Sequence, residues 1–230
     1  MEKLLKDYSD LEKGAYLGAI SSIATADRAA SDEEMEYIMA LAESAELSDE
    51  QKKAVSRAAT ELTGQELKKC LDILKTSDLK FSLVTDLISF AEADKKYSDE
   101  EKANVEKIAR YLGINQQQFS LLDQFVKKTA EVKPDVEEVT HPSFLSKIGL
   151  DDKLKRSGIN INSLTKGLLS VAGPMILANL VSGRRNRGTG SSLNPFAMGA
   201  GGGLGSIISM LSGGRGFSKT GNMFNRVFGL

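Results

Sequence analysis

Apolar residues recur at positions three or four apart along residues 4–130, the spacing of helices that each bury one face. No stretch of the chain alternates as a half-buried strand would. The pattern therefore predicts an all-α domain of about seven helices, with Cys70 as a core residue. The clearest stripes are Met35, Ile38, Met39 and Ala42; Leu67, Cys70, Leu71 and Leu74; Phe81, Val84, Leu87, Ile88 and Ala91; and Val105, Ile108, Ala109 and Leu112.

The helical pattern occurs twice. Residues 26–34 (the first acidic motif) recur 67 positions later as residues 93–101 (the second acidic motif), with six of nine residues identical. Apolar positions also match downstream, where Ile38 corresponds to Val105 and Leu47 to Ile114. This period is longer than that of solenoid repeats. The sequence thus predicts a pseudo-duplicated bundle with two lobes.

Capping signatures mark the helix ends. In each, a side chain accepts from the backbone amide three residues on, and the residue there returns a bond to the cap amide. The pairs are Ser31 with Glu34, Ser98 with Glu101, and Ser48 with Gln51, with Asn115 and Gln118 as a looser equivalent of the last. Gly113 stands where a left-handed C-terminal cap is expected.

Each acidic motif holds four carboxylates within eight residues: Asp27, Asp32, Glu33 and Glu34 in the first, and Asp94, Asp99, Glu100 and Glu101 in the second. Three interpretations remain open. The acids offset the dipole of a helix that begins there, or they supply oxygen ligands to a weakly bound divalent cation, or they form an acidic surface for a partner. The spacing and central Gly of an EF-hand are missing.

The phrase Ala-Asp-x-x-x-Ser-x-x-Glu in both motifs resembles the TerB-like helical family of tellurite resistance proteins, over about residues 12–130. The resemblance implies a helical bundle whose acidic loops bind metal or partners in stress responses and near membrane-linked complexes. It places the family's acidic pair on Asp27 and Glu34, and on Asp94 and Glu101. The family usually has Gly after each Asp, whereas this chain has Arg28 and Lys95, cations that oppose divalent binding.

Charge divides the chain in two. Residues 1–152 carry 31 acids and 20 bases, a net of −11, whereas residues 153–230 carry no acid and ten bases. Seventeen of the 21 glycines follow residue 140. Prolines at 134 and 142 interrupt any helix there. We therefore predict an acidic bundle (residues 1–132), a linker (133–142) and a basic, glycine-rich, partly disordered tail (143–230) with one or two short helices.

The tail offers several modes of contact. Residues 143–157 are amphipathic, residues 167–183 are uncharged, and Arg184, Arg185 and Arg187 form one dense basic cluster. The tail could dock on its own bundle, on a second copy or on another protein. It could also anchor peripherally at an anionic membrane or form a membrane hairpin. Nucleic acid is less favoured, because phosphate contacts would have one dense cluster to use.

Catalytic chemistry finds little support. The chain has one Cys, no Trp and one His, His141, in the predicted linker. Residues 201–205 are glycine-rich but lack the Gly-Lys-Ser ending of a phosphate loop. We predict a non-enzymatic interaction module without a cofactor, docked by its tail on a protein partner or membrane surface; a divalent-metal sensor is the alternative. Residues 1–12 lack the apolar run of a signal peptide, so we expect a cytoplasmic protein, with the inner face of the membrane as a peripheral site.

Overall fold

The computed structural model describes residues 5–25, 30, 32–60, 64–93, 99–132 and 143–166. These residues form ten helices and no strand, which confirms the predicted all-α class for this part of the chain. The first seven are α1 (Asp10–Ala24), α2 (Asp32–Ser44), α3 (Asp49–Thr60), α4 (Gln65–Leu74), α5 (Leu79–Ala93), α6 (Asp99–Tyr111) and α7 (Gln116–Val132). Three short helices follow: α8 (Ser143–Lys147), α9 (Asp151–Arg156) and α10 (Ile161–Lys166).

The helix bounds repeat with the sequence. α2 and α6 begin 67 residues apart, end 67 residues apart, and are followed by α3 and α7, which begin 67 residues apart. The two copies are therefore α1–α3 and α5–α7, and α4 connects them. The equivalent helices α1 and α5 are central, because residues 14–23 and 81–88 are all buried.

The same turn ends α2 and α6. A left-handed residue follows each helix, Glu46 with φ 53° and Gly113 with φ 77°, which confirms the predicted cap at Gly113. Each turn is closed by a backbone bond that spans five residues: Leu47 N to Ala42 O at 3.0 Å, and Ile114 N to Ala109 O at 2.9 Å. The duplication thus extends to individual hydrogen bonds.

The caps of α3 and α7 differ in one respect. At α7 both bonds of the capping box form, Gln118 N to Asn115 Oδ1 at 2.9 Å and Asn115 N to Gln118 Oε1 at 3.0 Å. At α3 Ser48 Oγ accepts from Gln51 N at 3.3 Å, but the Ser48 amide donates to Asp10 Oδ1 at 3.1 Å. The pair expected to be looser is the complete one, because a carboxylate of α1 replaces Gln51 at the other.

One continuous core joins the helices. Matched apolar pairs such as Ile38 and Val105 are buried on equivalent helices. Cys70 is half-buried and packs against this core. It marks a close approach of α4 to α1, since a β-carbon added at Gly18 would lie 2.9 Å from the Cys70 Sγ.

Residues 143–166, the C-terminal strap, complete this core. Their apolar side chains are buried, while Lys153, Lys155 and Arg156 are exposed, as the amphipathic pattern predicts for residues 143–157. The buried side chains are Phe144, Leu145, Ile148, Leu150, Leu154, Ile159 and Leu164. Apolar packing on the bundle therefore accounts for the fold of the strap.

Side chains of the bundle also donate to backbone carbonyls of the strap. The donors and acceptors are Lys128 Nζ to Ile148 O at 2.6 Å, Gln118 Nε2 to Ser157 O at 2.9 Å, and Ser82 Oγ to Leu164 O at 3.2 Å. The first two carbonyls lie just beyond the ends of α8 and α9, where helices leave carbonyls without an internal partner. The predicted linker (133–142) and the rest of the tail (167–230) lie outside the described residues.

Candidate functional site

The two central helices run parallel. Near their starts, the side chain of Ser77, just before α5, hydrogen-bonds the Glu12 carboxylate of α1 and lowers its pKa. Half-way along, the hydroxyl of Tyr16 on α1 donates to Asp86 on α5. Contacts therefore advance in the same direction on both helices. α1 and α5 finish at one end of the bundle, where α2 and α6 begin; we call it the acidic end.

α3 runs in the same direction as α1. Its start lies at the opposite end, where Ser48 Oγ donates to Asp10 Oδ2 at 2.6 Å. Its last turn returns to the acidic end, where the amide of Ala30 donates to Ala59 O at 3.1 Å. Ala30 belongs to the first acidic motif, so α3 braces the chain between α1 and α2.

The predicted carboxylates are described in part. Glu34 lies in the first turn of α2 with 1% of its surface exposed, and it has an interaction partner. Glu101 holds the equivalent position in the first turn of α6. The side chain of Glu101, the whole of Asp27 and Asp94, and the tail arginines Arg184, Arg185 and Arg187 lie outside the described residues.

A buried phenol–carboxylate cluster lies beneath the acidic end. It consists of Tyr16 on α1, Tyr37 on α2 and Asp86 on α5, each with 0% of its surface exposed. Burial, together with the nearby charge of Asp86, raises the pKa of the Tyr37 phenol. Glu34 precedes Tyr37 by three residues and therefore shares its helix face. The cluster ties the helices that flank the first acidic motif to the helix that leads into the second.

Sequence reasoning missed this cluster. Asp86 carried a visible signal, since it is the one charged residue among residues 81–91. A lone acid in an apolar helix needs a polar partner once it is buried. Nothing local identifies that partner, because Tyr16 is 70 residues away in the chain.

A second cluster of charges ties α4 to α6 at the surface. Asp72 accepts from Lys68 Nζ at 2.8 Å and from the Tyr111 hydroxyl at 2.5 Å. The bond from Lys68, followed by that from Tyr111, lowers the pKa of Asp72 to about 2. Lys75 Nζ lies 3.7 Å from the centre of the Tyr111 ring, a cation–π contact. These groups neutralise one another, so their role is to hold two helices together.

Two further classes of site were sought in the described residues. Among them, no group of three or more His, Cys, Asp or Glu side chains could hold a metal ion. None of the helices in that part of the chain is long and apolar enough to cross a membrane.

Comparison with known families then bears on the architecture. The family model of tellurite resistance protein TerB matches residues 14–124. These residues form a TerB-like helical domain. The TerB-like domain runs from the first turns of α1 into α7, so it contains α4, both copies of the repeat and both acidic motifs, while the strap lies beyond it. The match confirms the resemblance stated from the motifs. No curated protein and no solved structure matches the chain.

Proposed function

We propose that this protein is a non-enzymatic interaction module of a stress-response or scaffold type, which binds basic segments of partner proteins at its acidic end. The observation that carries the proposal is the parallel course of α1 and α5. Because of it, the first turns of α2 and α6 begin at the same end. One partner can therefore contact the acids of both motifs at once.

Charge supports a basic partner. Residues 1–142 carry 29 acids and 19 bases. The first turns of α2 and α6 contribute Asp32, Glu33, Asp99 and Glu100 to the acidic end. Like charges gathered at one end attract an oppositely charged segment and speed its association. Such attraction between exposed groups weakens as salt is added.

Peptide binding tests the acidic end. The probe is a fluorescent peptide of residues 179–190, which contains the three clustered arginines. The protein is the full chain carrying Arg184→Gln, Arg185→Gln and Arg187→Gln, so that its own tail does not compete. Adding Asp32→Asn with Asp99→Asn should weaken binding roughly tenfold, about 1.4 kcal/mol.

The matched control removes the same charge elsewhere. Asp49 and Glu50 are the first-turn acids of α3, which begins at the opposite end of the bundle. Asp49→Asn with Glu50→Gln should leave peptide binding within about twofold. Equal losses in the two variants would mean that net charge, rather than the acidic end, attracts the peptide, and the proposal would fail.

The basic tail docks the module on a protein partner or on a membrane surface. Flotation with anionic and neutral vesicles separates these two. The full chain should be compared with the Arg184→Gln/Arg185→Gln/Arg187→Gln chain. Flotation of the unchanged chain alone, lost at high salt, indicates a peripheral anchor held by charge; flotation that survives salt indicates insertion. No flotation of either chain leaves a protein partner as the target.

A divalent cation is the second candidate ligand for the acidic end. It is favoured by the placement of Glu34, a carboxylate of the acidic pair that is removed from water in the first turn of α2. Calorimetry with Ca²⁺, Mg²⁺ and Zn²⁺ tests it against an Asp27→Asn/Asp94→Asn chain. Heat that the substitutions abolish supports a metal sensor, and the lack of heat at millimolar metal removes it.

A further inference from the structure

The strap determines the direction in which the tail leaves the fold. At the start of α10, Asn160 Nδ2 donates to Asp78 Oδ2, just before α5, at 3.3 Å. Four residues later, Ser82 Oγ in the first turn of α5 donates to Leu164 O at 3.2 Å. α10 therefore runs parallel to α5. The chain leaves Lys166 on a course toward the acidic end.

The distance that remains is short. α5 continues for eleven residues from Ser82 to Ala93, which is about 16 Å of helix. Eighteen residues separate Lys166 from Arg184, and residues 167–183 carry no charge. A flexible segment of that length spans roughly 21–25 Å on average. The clustered arginines therefore begin within reach of the first turns of α2 and α6.

We infer that the segment containing Arg184, Arg185 and Arg187 docks on the acidic end of its own chain, as an internal ligand that a basic partner must displace. The inference rests on the proposed function of the acidic end. Charge complementarity supports it, since no acid follows Asp152 and guanidinium groups pair well with carboxylates. Tethering holds the segment at millimolar effective concentration. Binding of an outside partner is then regulated by the tail.

Competition with the residue 179–190 peptide tests the internal ligand. At low salt, the full chain should bind this peptide at least fivefold more weakly than the chain with Arg184→Gln, Arg185→Gln and Arg187→Gln, because the native arginines already occupy the end. Arg215→Gln, Lys219→Gln and Arg226→Gln together remove the same charge and should leave the affinity of the unchanged chain. Equal affinity in all three chains, or an equal gain in both variants, overturns the inference.

The acidic-end substitutions separate the two proposals. If Asp32→Asn with Asp99→Asn abolishes peptide binding but neutralising the arginines has no effect, the proposed function stands and the internal ligand is wrong. If the peptide binds none of the chains, both are wrong.

Hydrogen exchange distinguishes the chain's own tail from that of a second copy. The first turns of α2 and α6 should exchange at least threefold faster in the Arg184→Gln/Arg185→Gln/Arg187→Gln chain than in the unchanged chain. The difference should not depend on protein concentration, and the unchanged chain should have the mass of a monomer. Protection that grows with concentration means that a second copy supplies the arginines, which contradicts docking within one chain.

Discussion

At the scale of single residues, the duplicated copies solve one problem with two side chains. The left-handed position after α6 is Gly113, and the same position after α2 is Glu46. A β-carbon costs about 1–2 kcal/mol in this conformation. Because nothing lies within 4 Å of where that carbon would be at Gly113, Gly113→Ala should lower the free energy of unfolding by about 1 kcal/mol through backbone strain alone.

Urea unfolding measures this change. Gly113→Asn is the control, because Asn tolerates the left-handed region better than Ala, and it should cost less than half as much. An alanine variant as stable as the unchanged chain would mean that the turn after α6 relaxes to another conformation.

The buried phenol of Tyr37 predicts a loss of stability in alkali. Burial raises its pKa in the folded chain, above the value of about 10 for an unfolded chain. The folded state is then favoured fully below pH 10 and progressively less above it, because only the unfolded chain readily loses the proton. The free energy of unfolding should fall between about pH 10 and pH 11.5, and less steeply in a Tyr37→Phe chain.

Urea titrations at several pH values check the slope. Parallel declines in both chains would show that other groups govern alkaline unfolding. At neutral pH, Tyr37→Phe should itself cost about 1–3 kcal/mol, since its hydroxyl is buried and not free of partners.

Helix caps are the element-scale features that the sequence predicts best. A cap depends on residues three apart, so Asn115 with Gln118 and Ser48 with Gln51 could both be predicted. Their relative strength could not, because Asp10 binds the amide of Ser48 from another helix. Asn115→Ala should cost about 1 kcal/mol, as N-cap losses typically do.

Ser48→Ala should cost more than Asn115→Ala, because it also removes the 2.6 Å bond from the Ser48 hydroxyl to Asp10. Thermal or urea unfolding of the two variants orders them. Adding Asp10→Asn should reduce the difference between the two; an unchanged difference would mean that the Asp10 contact contributes no stability.

The direction of the helices shows where sequence reasoning stops. An offset of 67 residues predicts that α2 matches α6 and that α3 matches α7, and the helix bounds agree. The parallel course of α1 and α5 depends on contacts between distant residues, such as Tyr16 with Asp86. Periodicity within one helix carries no information about its neighbour. The motifs were therefore predictable, and their meeting at one end was not.

For the whole molecule, the change in composition and the edge of the core do not coincide. Charge and glycine content change after about residue 140, yet the strap contributes apolar side chains to the core of the bundle. Composition averages over a segment, whereas packing depends on individual residues such as Phe144 and Leu164. The strap lies beyond the matched TerB-like domain, but it shares that domain's core.

Truncation tests this extent of the folded unit. A chain that ends after Lys166 should keep the free energy of unfolding of the full chain within about 1 kcal/mol, the scale of exposed ionic contacts. A chain that ends after Pro142 loses the seven buried apolar side chains of the strap. Single large-to-alanine changes at such sites cost about 2–5 kcal/mol. Removing all seven should therefore consume most of the roughly 5–15 kcal/mol that stabilises a domain.

Point substitutions in the full chain supply the matched comparison. Leu154→Ala removes a side chain with no exposed surface and should cost about 2–5 kcal/mol. Its exposed neighbour Lys153 should tolerate alanine within about 0.5 kcal/mol. Equal stability of the two truncated chains, together with a silent Leu154→Ala, would mean that the strap does not hold the core together. The reverse result makes residues 5–166 the smallest unit in which to study the acidic end.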